Sequence, residues 1–384
     1  MTTIQELAAK TGVSVATVSR ALNGSPEVSE ATRERILSLA QELDYTPSAA
    51  ARTLVRRRSH VVGVILETGA GHPDLLHPFF QEVLVGIQHG AGERGYDLLL
   101  FATDEPGNGF GGRHSYARRA GHHGVGGVIA WGFDANHPEM RKLIAAGIPC
   151  IAVDSDLSGP RCGFVTSENR EGAAQAVTHL HELGHERIAT IAGPLATRAG
   201  ADRLAGYRET LERLALEAAE EYVREGDFYD ESGYEATKQL LALETPPTAI
   251  FAASDLMAAG AFRAAHELGV RVPDDLAVVG FDDIALAALI QPALTTVRQE
   301  TEALGRAAGE GLIGMIEDAD APPVQVYVPT RLVVRASSGA KEASRERTHE
   351  TGEGGGAEIW RRSVRLPADD GAALVTDAGT TEEA

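Results

Sequence analysis

Apolar residues recur at helical spacing in three short runs at the start of the chain, then at buried-strand density from Val61 onward. In the first run Ile4, Leu7 and Ala8 share one helical face, Thr3 and Glu6 stand at capping-box spacing, and Gly12 marks the end. Ser14 is expected to cap a second helix that turns Val18 and Leu22 inward and points Thr17, Ser19 and Arg20 elsewhere. A third run, with Ser29 as its expected cap, carries Ile36, Leu39, Ala40 and Leu43, enough apolar surface to close a three-helix core. Two short helices joined by a tight turn and backed by a third can lay the second helix in the major groove of DNA.

Beyond Val61, VVGVIL (61–66), YDLLLF (96–101), GVIAW (127–131) and PCIAV (149–153) read as buried parallel strands. FFQEVLVGIQHGAGERG and HPEMRKLIAAG read as helices covering them. A second series follows in RIATIAG (187–193), TAIFAAS (248–254) and LAVVGFDD (276–283), with helices near 201–214 and 255–268. LTTVRQ (294–299), a helix to about Ile316 and a final strand segment VQVYVPTRLVV (324–334) complete the pattern. Open α/β sheets bind ligands outside the carboxyl ends of their strands, so two such halves facing each other would enclose a cleft.

Charge divides the chain in the same place. The 384 residues carry a net charge of −20, yet residues 1–60 hold eight Lys/Arg against six Asp/Glu, leaving −22 for the rest. An acidic body is repelled by phosphates, so any contact with nucleic acid is confined to the amino-terminal head. Cys150 and Cys162 are too few for a disulfide framework and read as small buried residues. The start of the chain lacks a signal-peptide pattern and no run is long enough for a membrane span, which predicts a cytoplasmic protein. Residues 338–384 are Gly-, Thr- and acid-rich apart from IWRRSVRL (359–366), and their low hydrophobicity predicts a disordered tail.

The segment from Tyr45 to Ser59, YTPSAAARTLVRRRS, holds four arginines and no acid. Together VSVATVSRALNG and TPSAAARTL strongly resemble the LacI/GalR transcriptional regulators, a resemblance that runs from about Thr3 to about Ser337. It implies an all-α helix-turn-helix head on an α/β periplasmic-binding-protein-like core of two Rossmann-like subdomains. The head would span 1–46 and a hinge helix or linker 47–60. The core would span 61–337, with one subdomain at about 61–162 and 293–323 and the other at about 163–292 and 324–337. On that scheme the strand near 294–299 returns to the first half and the last segment to the second.

Arg20 is the best base-reading candidate, since a guanidinium can grip guanine through two hydrogen bonds. The resemblance puts Val15 and Ala16 at the positions that distinguish operators, although Val15 also reads as a core residue. It completes the DNA-facing set with Ser14, Thr17, Ser19, Asn23 and Tyr45. Leu54 would wedge into the minor groove from a hinge helix over 48–56, a step that costs a few kcal/mol and is offset by further contacts. Ala51 would let two hinge helices approach, and Arg52 and Arg56 would hold phosphates. Two-fold readout needs two heads, hence a homodimer on a pseudo-palindromic duplex.

For the cleft, the resemblance singles out Arg203, Asp282, Phe228, Ser254 and Asp255. A guanidinium and a carboxylate each hold pairs of hydroxyls, and a ring stacks on a sugar face. Asp255 reads better as the cap of the helix after it. Phe79, Phe80, Trp131 and Asp154 are the candidates on the first half, with either phenylalanine equally at home in the core. Glu168-Asn169 stands where the family commonly shows Asp-Asn, which puts that contact in doubt.

Three patterns mislead. GAGERG (90–95) has dinucleotide spacing but lies between a helix and a strand, the reverse of the context a phosphate site needs. His179, His181 and His185 have metal-like spacing but read as a helix end, and His122-His123 beside Arg118 and Arg119 as a loop cluster. No nucleophile elbow supports hydrolysis, and no cofactor or metal is implied. The sequence thus points to a ligand-switched repressor of sugar-utilisation genes, not an enzyme. A nucleobase or nucleoside effector and a solute-binding protein on the same core are the alternatives.

Overall fold

The computed structural model describes residues 3–22, 25–43, 45, 59–66, 74–101, 115–133, 137–155 and 157–339. The head is three helices, α1 (Ile4–Thr11), α2 (Val15–Leu22) and α3 (Glu30–Glu42). Thr3 and Glu6 form the reciprocal capping box, and Gly12 ends α1 in the left-handed region that glycine adopts at little cost. Ser14 Oγ accepts from the Thr17 N–H at the start of α2. Ser29 makes no such capping bond and its hydroxyl donates to Thr32 Oγ1, so the third expected cap is not a side-chain cap. Leu7, Ala8, Val18, Ala21, Val28, Ile36 and Ala40 make the core, with Leu22, Leu39, Leu43 and Tyr45 half-buried around it.

The remaining described residues form two six-stranded sheets. The first contains β1 (Val61–Leu66), β2 (Asp97–Leu100), β3 (Gly127–Trp131), β4 (Cys150–Val153), β5 (Cys162–Ser167) and β11 (Gln325–Val328), in the order β11-β5-β4-β3-β1-β2. The second contains β6 (Ile188–Ala192), β7 (Val223–Glu225), β8 (Ala249–Ala252), β9 (Ala277–Asp282), β10 (Thr295–Gln299) and β12 (Thr330–Val333), in the order β12-β10-β9-β8-β6-β7. All pairings are parallel except β10 with β12. Covering the first sheet are α4 (Pro78–Gly92), α5 (Tyr116–His123), α6 (Pro138–Ala145) and α12 (Thr301–Glu317). The second is accompanied by α7 (Asn169–Glu182), α8 (Arg198–Arg213), α9 (Asp230–Leu241), α10 (Asp255–Glu267) and the short α11 (Ala285–Leu289). No helix among the described residues is long and apolar enough to cross a membrane.

The chain crosses between the halves three times, and each crossing departs from the expected subdomain limits. Cys162 lies opposite Cys150 in a parallel ladder, so β5 belongs to the first half, which extends to Ser167 and not to 162. β10 pairs with β9, so the strand at 294–299 stays in the second half, with Val297 in its core. The chain returns to the first half only with α12, which packs on α4. The segment 324–334 is not one strand: β11 joins the first sheet beside β5, and past Pro329, which has no N–H to donate, β12 joins the second. One further correction is local. His122, His123, Arg118 and Arg119 lie on the helix α5, not in a loop, and Arg119 stacks on Phe101 and Tyr116. Cys150 and Cys162 are both free and buried.

Candidate functional site

The facing carboxyl ends of the two sheets border a partly open cavity. It is lined by His77, Phe79 and Phe80 from the start of α4, by Trp131, Gly132 and Phe133 after β3, and by Asp154 after β4. The second half contributes Thr197, Ala199 and Arg203 around the start of α8, Phe228 after β7, and Asp282 at the end of β9. Asp154 (φ 51°), Phe228 (φ 71°) and Asp282 (φ 120°) all sit in the left-handed region unusual for residues with a Cβ, and backbone strain of this kind concentrates at functional sites. Gly193 lets the Phe228 ring lie against the backbone after β6, since a Cβ there would meet ring carbons at 2.1 Å.

The first half supplies an aromatic wall. Phe80 and Trp131 are tilted faces with centroids 4.4 Å apart, and Phe79 meets Trp131 edge-on at 5.7 Å. Phe79 serves both uses considered for it, lining the cavity while buried in the first core. The floor is polar and runs from one half to the other. Thr166 Oγ1 donates to Asp154 Oδ1 (2.9 Å), and Asn169 Nδ2 donates to Thr166 Oγ1 (3.3 Å). Asn169 Oδ1 accepts from Arg203 Nε (2.8 Å), while Arg203 Nη1 donates to the Ala253 carbonyl (2.5 Å) and lies 3.7 Å from Asp282 Oδ1. Gln299 Nε2 donates to the same Asp282 oxygen (2.7 Å).

Burial dominates the electrostatics. It raises the Asp154 carboxyl, against the pull of Arg203 and the Thr166 bond, and it pushes Asp282 up to about 7 although Arg203 pulls it down. It also lowers the affinity of the Arg203 guanidinium for its proton, against the attraction of Asp282, Asp154, Asp255 and Asp202. Arg203 is the one Lys or Arg among the described lining residues, and its guanidinium carbon lies over Phe281, 3.7 Å from the ring centroid.

Of the residues singled out for the cleft, seven line this cavity: Phe79, Phe80, Trp131, Asp154, Arg203, Phe228 and Asp282. Ser254 does not. Its Oγ accepts from the Met257 N–H as the cap of α10 and donates to the Phe228 carbonyl, so it fixes Phe228 from behind. That displaces Asp255 from the capping role expected for it. Asp255 is instead fully buried, accepting from the Ile284 N–H and from Thr296 Oγ1, and it ties α10 to the end of β9 and to β10. Glu168 is spent at the crossing, where its backbone pairs with Val328 and Thr330, while Asn169 holds Arg203. His77, Gly132, Phe133, Thr197 and Ala199 were missed. The signal for His77 was present in the sequence as a residue directly before Pro78 at the head of a helix.

In the head, Ser14, Val15, Ala16 and Arg20 are exposed and Thr17, Ser19 and Tyr45 are half-buried. Val15, 41% exposed, is therefore not a core residue. Arg20 Nε pairs with Glu27 at 3.3 Å. Asn23, Ala51, Arg52, Leu54 and Arg56, and the tail beyond Gly339, lie outside the described residues. Away from the cleft, His179 bonds Ser338 Oγ and His185 bonds Thr248 Oγ1. Among the described residues no group of three or more His, Cys, Asp or Glu is placed to hold a metal ion.

Residues 3–48 match the family described as bacterial regulatory proteins, lacI family, and residues 177–338 match a periplasmic binding protein-like domain. The chain is 39% identical to the HTH-type transcriptional regulator CelR of Thermobifida fusca over 337 residues, which is 87% of this chain and 98% of that protein. This chain belongs to the LacI family. A second LacI-family relative, the ribose operon repressor of Halalkalibacterium halodurans, is 37% identical over 90% of this chain and 99% of its own. Among solved structures, a lac repressor dimer bound to operator and the anti-inducer ONPF superposes with a TM-score of 0.75 at 30% identity, covering 88% of this chain and 99% of that one. A CelR–cellobiose complex superposes with a TM-score of 0.65 at 34% identity, covering 88% and 100%. As a LacI-family member the protein is a sequence-specific DNA-binding regulator of the head-and-core type, related to regulators of carbohydrate genes, and not an enzyme.

Proposed function

We propose that this protein is a homodimeric repressor of sugar-utilisation genes whose operator affinity is set by a sugar held in the interlobe cleft. The observation that carries the effector class is the pairing of the Phe80–Trp131 wall with Asp154, Arg203 and Asp282 in one cavity. A sugar ring has apolar faces that stack on aromatics and an equatorial girdle of hydroxyls that carboxylates and guanidinium groups bind in pairs. The relatives named for cellobiose and ribose support the same class. On the DNA side, Val15, Ala16, Thr17 and Arg20 form the reading face of α2, with Ser14, Ser19, Asn23 and Tyr45 around it, and Leu54 is the minor-groove wedge between Arg52 and Arg56 with Ala51 at the two-fold. A dimer places two heads on a pseudo-palindrome.

The mechanism follows from the three crossings. Closure on a ligand moves one sheet relative to the other, which changes the spacing of the two linkers in the dimer and so the stability of their DNA-bound form. Thermal unfolding of the full chain with D-cellobiose, D-ribose, hypoxanthine and adenosine tests the effector class. A ligand at one hundred times its dissociation constant stabilises the core by about 2.7 kcal/mol. A rise in melting temperature with a sugar supports the reading, and a rise with a purine alone overturns it.

A further inference from the structure

His77 is held by geometry in one protonation form. Its Nδ1 accepts from the Phe79 N–H (3.3 Å) at the start of α4, so in the neutral ring the proton sits on Nε2. The residue is 3% exposed and lines the cavity, and Nε2 is buried with no hydrogen-bond partner. The ring is fenced by Phe80 at 5.5 Å and, from the opposite half, by Tyr229 at 5.4 Å, both edge-on. The Phe228 carbonyl, which accepts from Ser254 Oγ, lies near enough to favour the protonated ring but does not meet Nε2 with hydrogen-bond geometry. A buried donor left unpaired carries a desolvation cost that a ligand acceptor would relieve.

We infer that His77 is a specificity-determining residue whose Nε2–H takes an oxygen of the ligand, in a cavity that selects an uncharged polyhydroxyl ring over its anionic counterparts. The assignment rests on the sugar reading above. Selection against anions follows from the charges around the cavity. Arg203 is shared among Asp282, Asp154, Asp255 and Asp202, and two of its nitrogens are already bonded to Asn169 and Ala253. Among the described lining residues a ligand phosphate or carboxylate would therefore meet the acidic side chains of Asp154 and Asp282 and no cation besides Arg203, while Arg198, outside the lining, is already engaged in pulling on Asp154. His77 does not supply one, because burial, opposed by the Phe228 carbonyl and helped by Arg203, pushes it down to about 4.

The test compares wild type, His77→Ser and His77→Asn by calorimetric titration with D-cellobiose and D-ribose, and with D-glucuronate and ribose 5-phosphate as the anionic probes. Ser keeps an oxygen that can cap α4 and removes the distal donor, whereas Asn keeps the cap and offers an amide donor set back from the Nε2 position; urea midpoints establish that each variant is folded. The expected result is binding of a neutral sugar to wild type, a loss of about tenfold in His77→Ser, a smaller loss in His77→Asn, and weaker binding of both anions. Unchanged affinity in His77→Ser overturns the donor role, and an anion bound as tightly as the neutral sugar overturns the selection. Binding of hypoxanthine in place of any sugar overturns the sugar reading; the donor role then stands or falls on whether His77→Ser loses the purine.

Discussion

Arg203 and Asp282 meet at 3.7 Å on the cleft floor with side chains each 4% exposed, one pinned by Asn169 and the Ala253 carbonyl, the other by Gln299. Removing one member of a buried pair leaves the other uncompensated and costs about 3–5 kcal/mol, whereas removing both is far milder. Arg203→Met is therefore expected to lower the urea midpoint at pH 8 sharply, and Arg203→Met with Asp282→Asn to recover a large part of the loss. Equal midpoints for wild type and the single variant would show that the pair carries no such energy.

The same floor sets a pH dependence with two opposing arms. Asp282 is raised to about 7 by burial from an ordinary value of 3.8, with Arg203 and Gln299 pulling down and Asp154 pushing up. Its native proton affinity exceeds the unfolded one, so its contribution to stability is full below about pH 4 and is lost as pH rises through about 7. His77 is lowered from 6.5 to about 4, so its contribution is present above about pH 6.5 and is lost as pH falls through about 4. Urea midpoints from pH 5 to 8 are expected to fall more steeply on the alkaline side for wild type than for Asp282→Asn. Parallel profiles would contradict the assignment.

Helices α4 and α12 touch through their backbones. A Cβ on Gly305 would lie 2.1 Å from the Val83 carbonyl oxygen, while one on Gly314, later in the same helix, meets nothing within 4 Å. Gly305→Ala is expected to destabilise by about 1–3 kcal/mol, since a backbone contact cannot rotate away and the clash outweighs the helix-propensity gain. Gly314→Ala is expected to stabilise by about 0.4–1 kcal/mol. Calorimetric melting of the two variants should therefore shift in opposite directions.

Much of this was legible because period and punctuation agree. Thr3, Glu6, Gly12 and Ser14 bound the first two helices, and the strands carrying Trp131, Asp154 and Asp282 end where the cavity begins. Which half each strand joins was not legible. β5, β10 and β11 are buried or edge strands whose local pattern fits either sheet, and their membership is decided by ladders such as Cys150 with Cys162 and Thr295 with Val279. Ser254 and Asp255 were exchanged for a related reason: both suit a helix start, and only the distant partners Ile284 and Thr296 show which one is used elsewhere.

On the head, the Arg20 side chain is 55% exposed and pairs with Glu27, a surface pair that contributes little to stability. Arg20→Ala is expected to leave the melting temperature of the full chain unchanged while weakening specific duplex binding by about 1–3 kcal/mol and relaxing selectivity at one base pair. Competition titration against point-substituted duplexes checks it. A uniform loss across all sequences would instead assign Arg20 to phosphate.

The most direct measurement is fluorescence anisotropy of the full-length protein on a duplex selected from a random pool, titrated at fixed salt with and without the sugar that raises its melting temperature. The expected result is a change in dissociation constant of about fivefold to 150-fold, abolished in a variant that no longer binds the sugar. An operator affinity identical with the cleft filled and empty would contradict it.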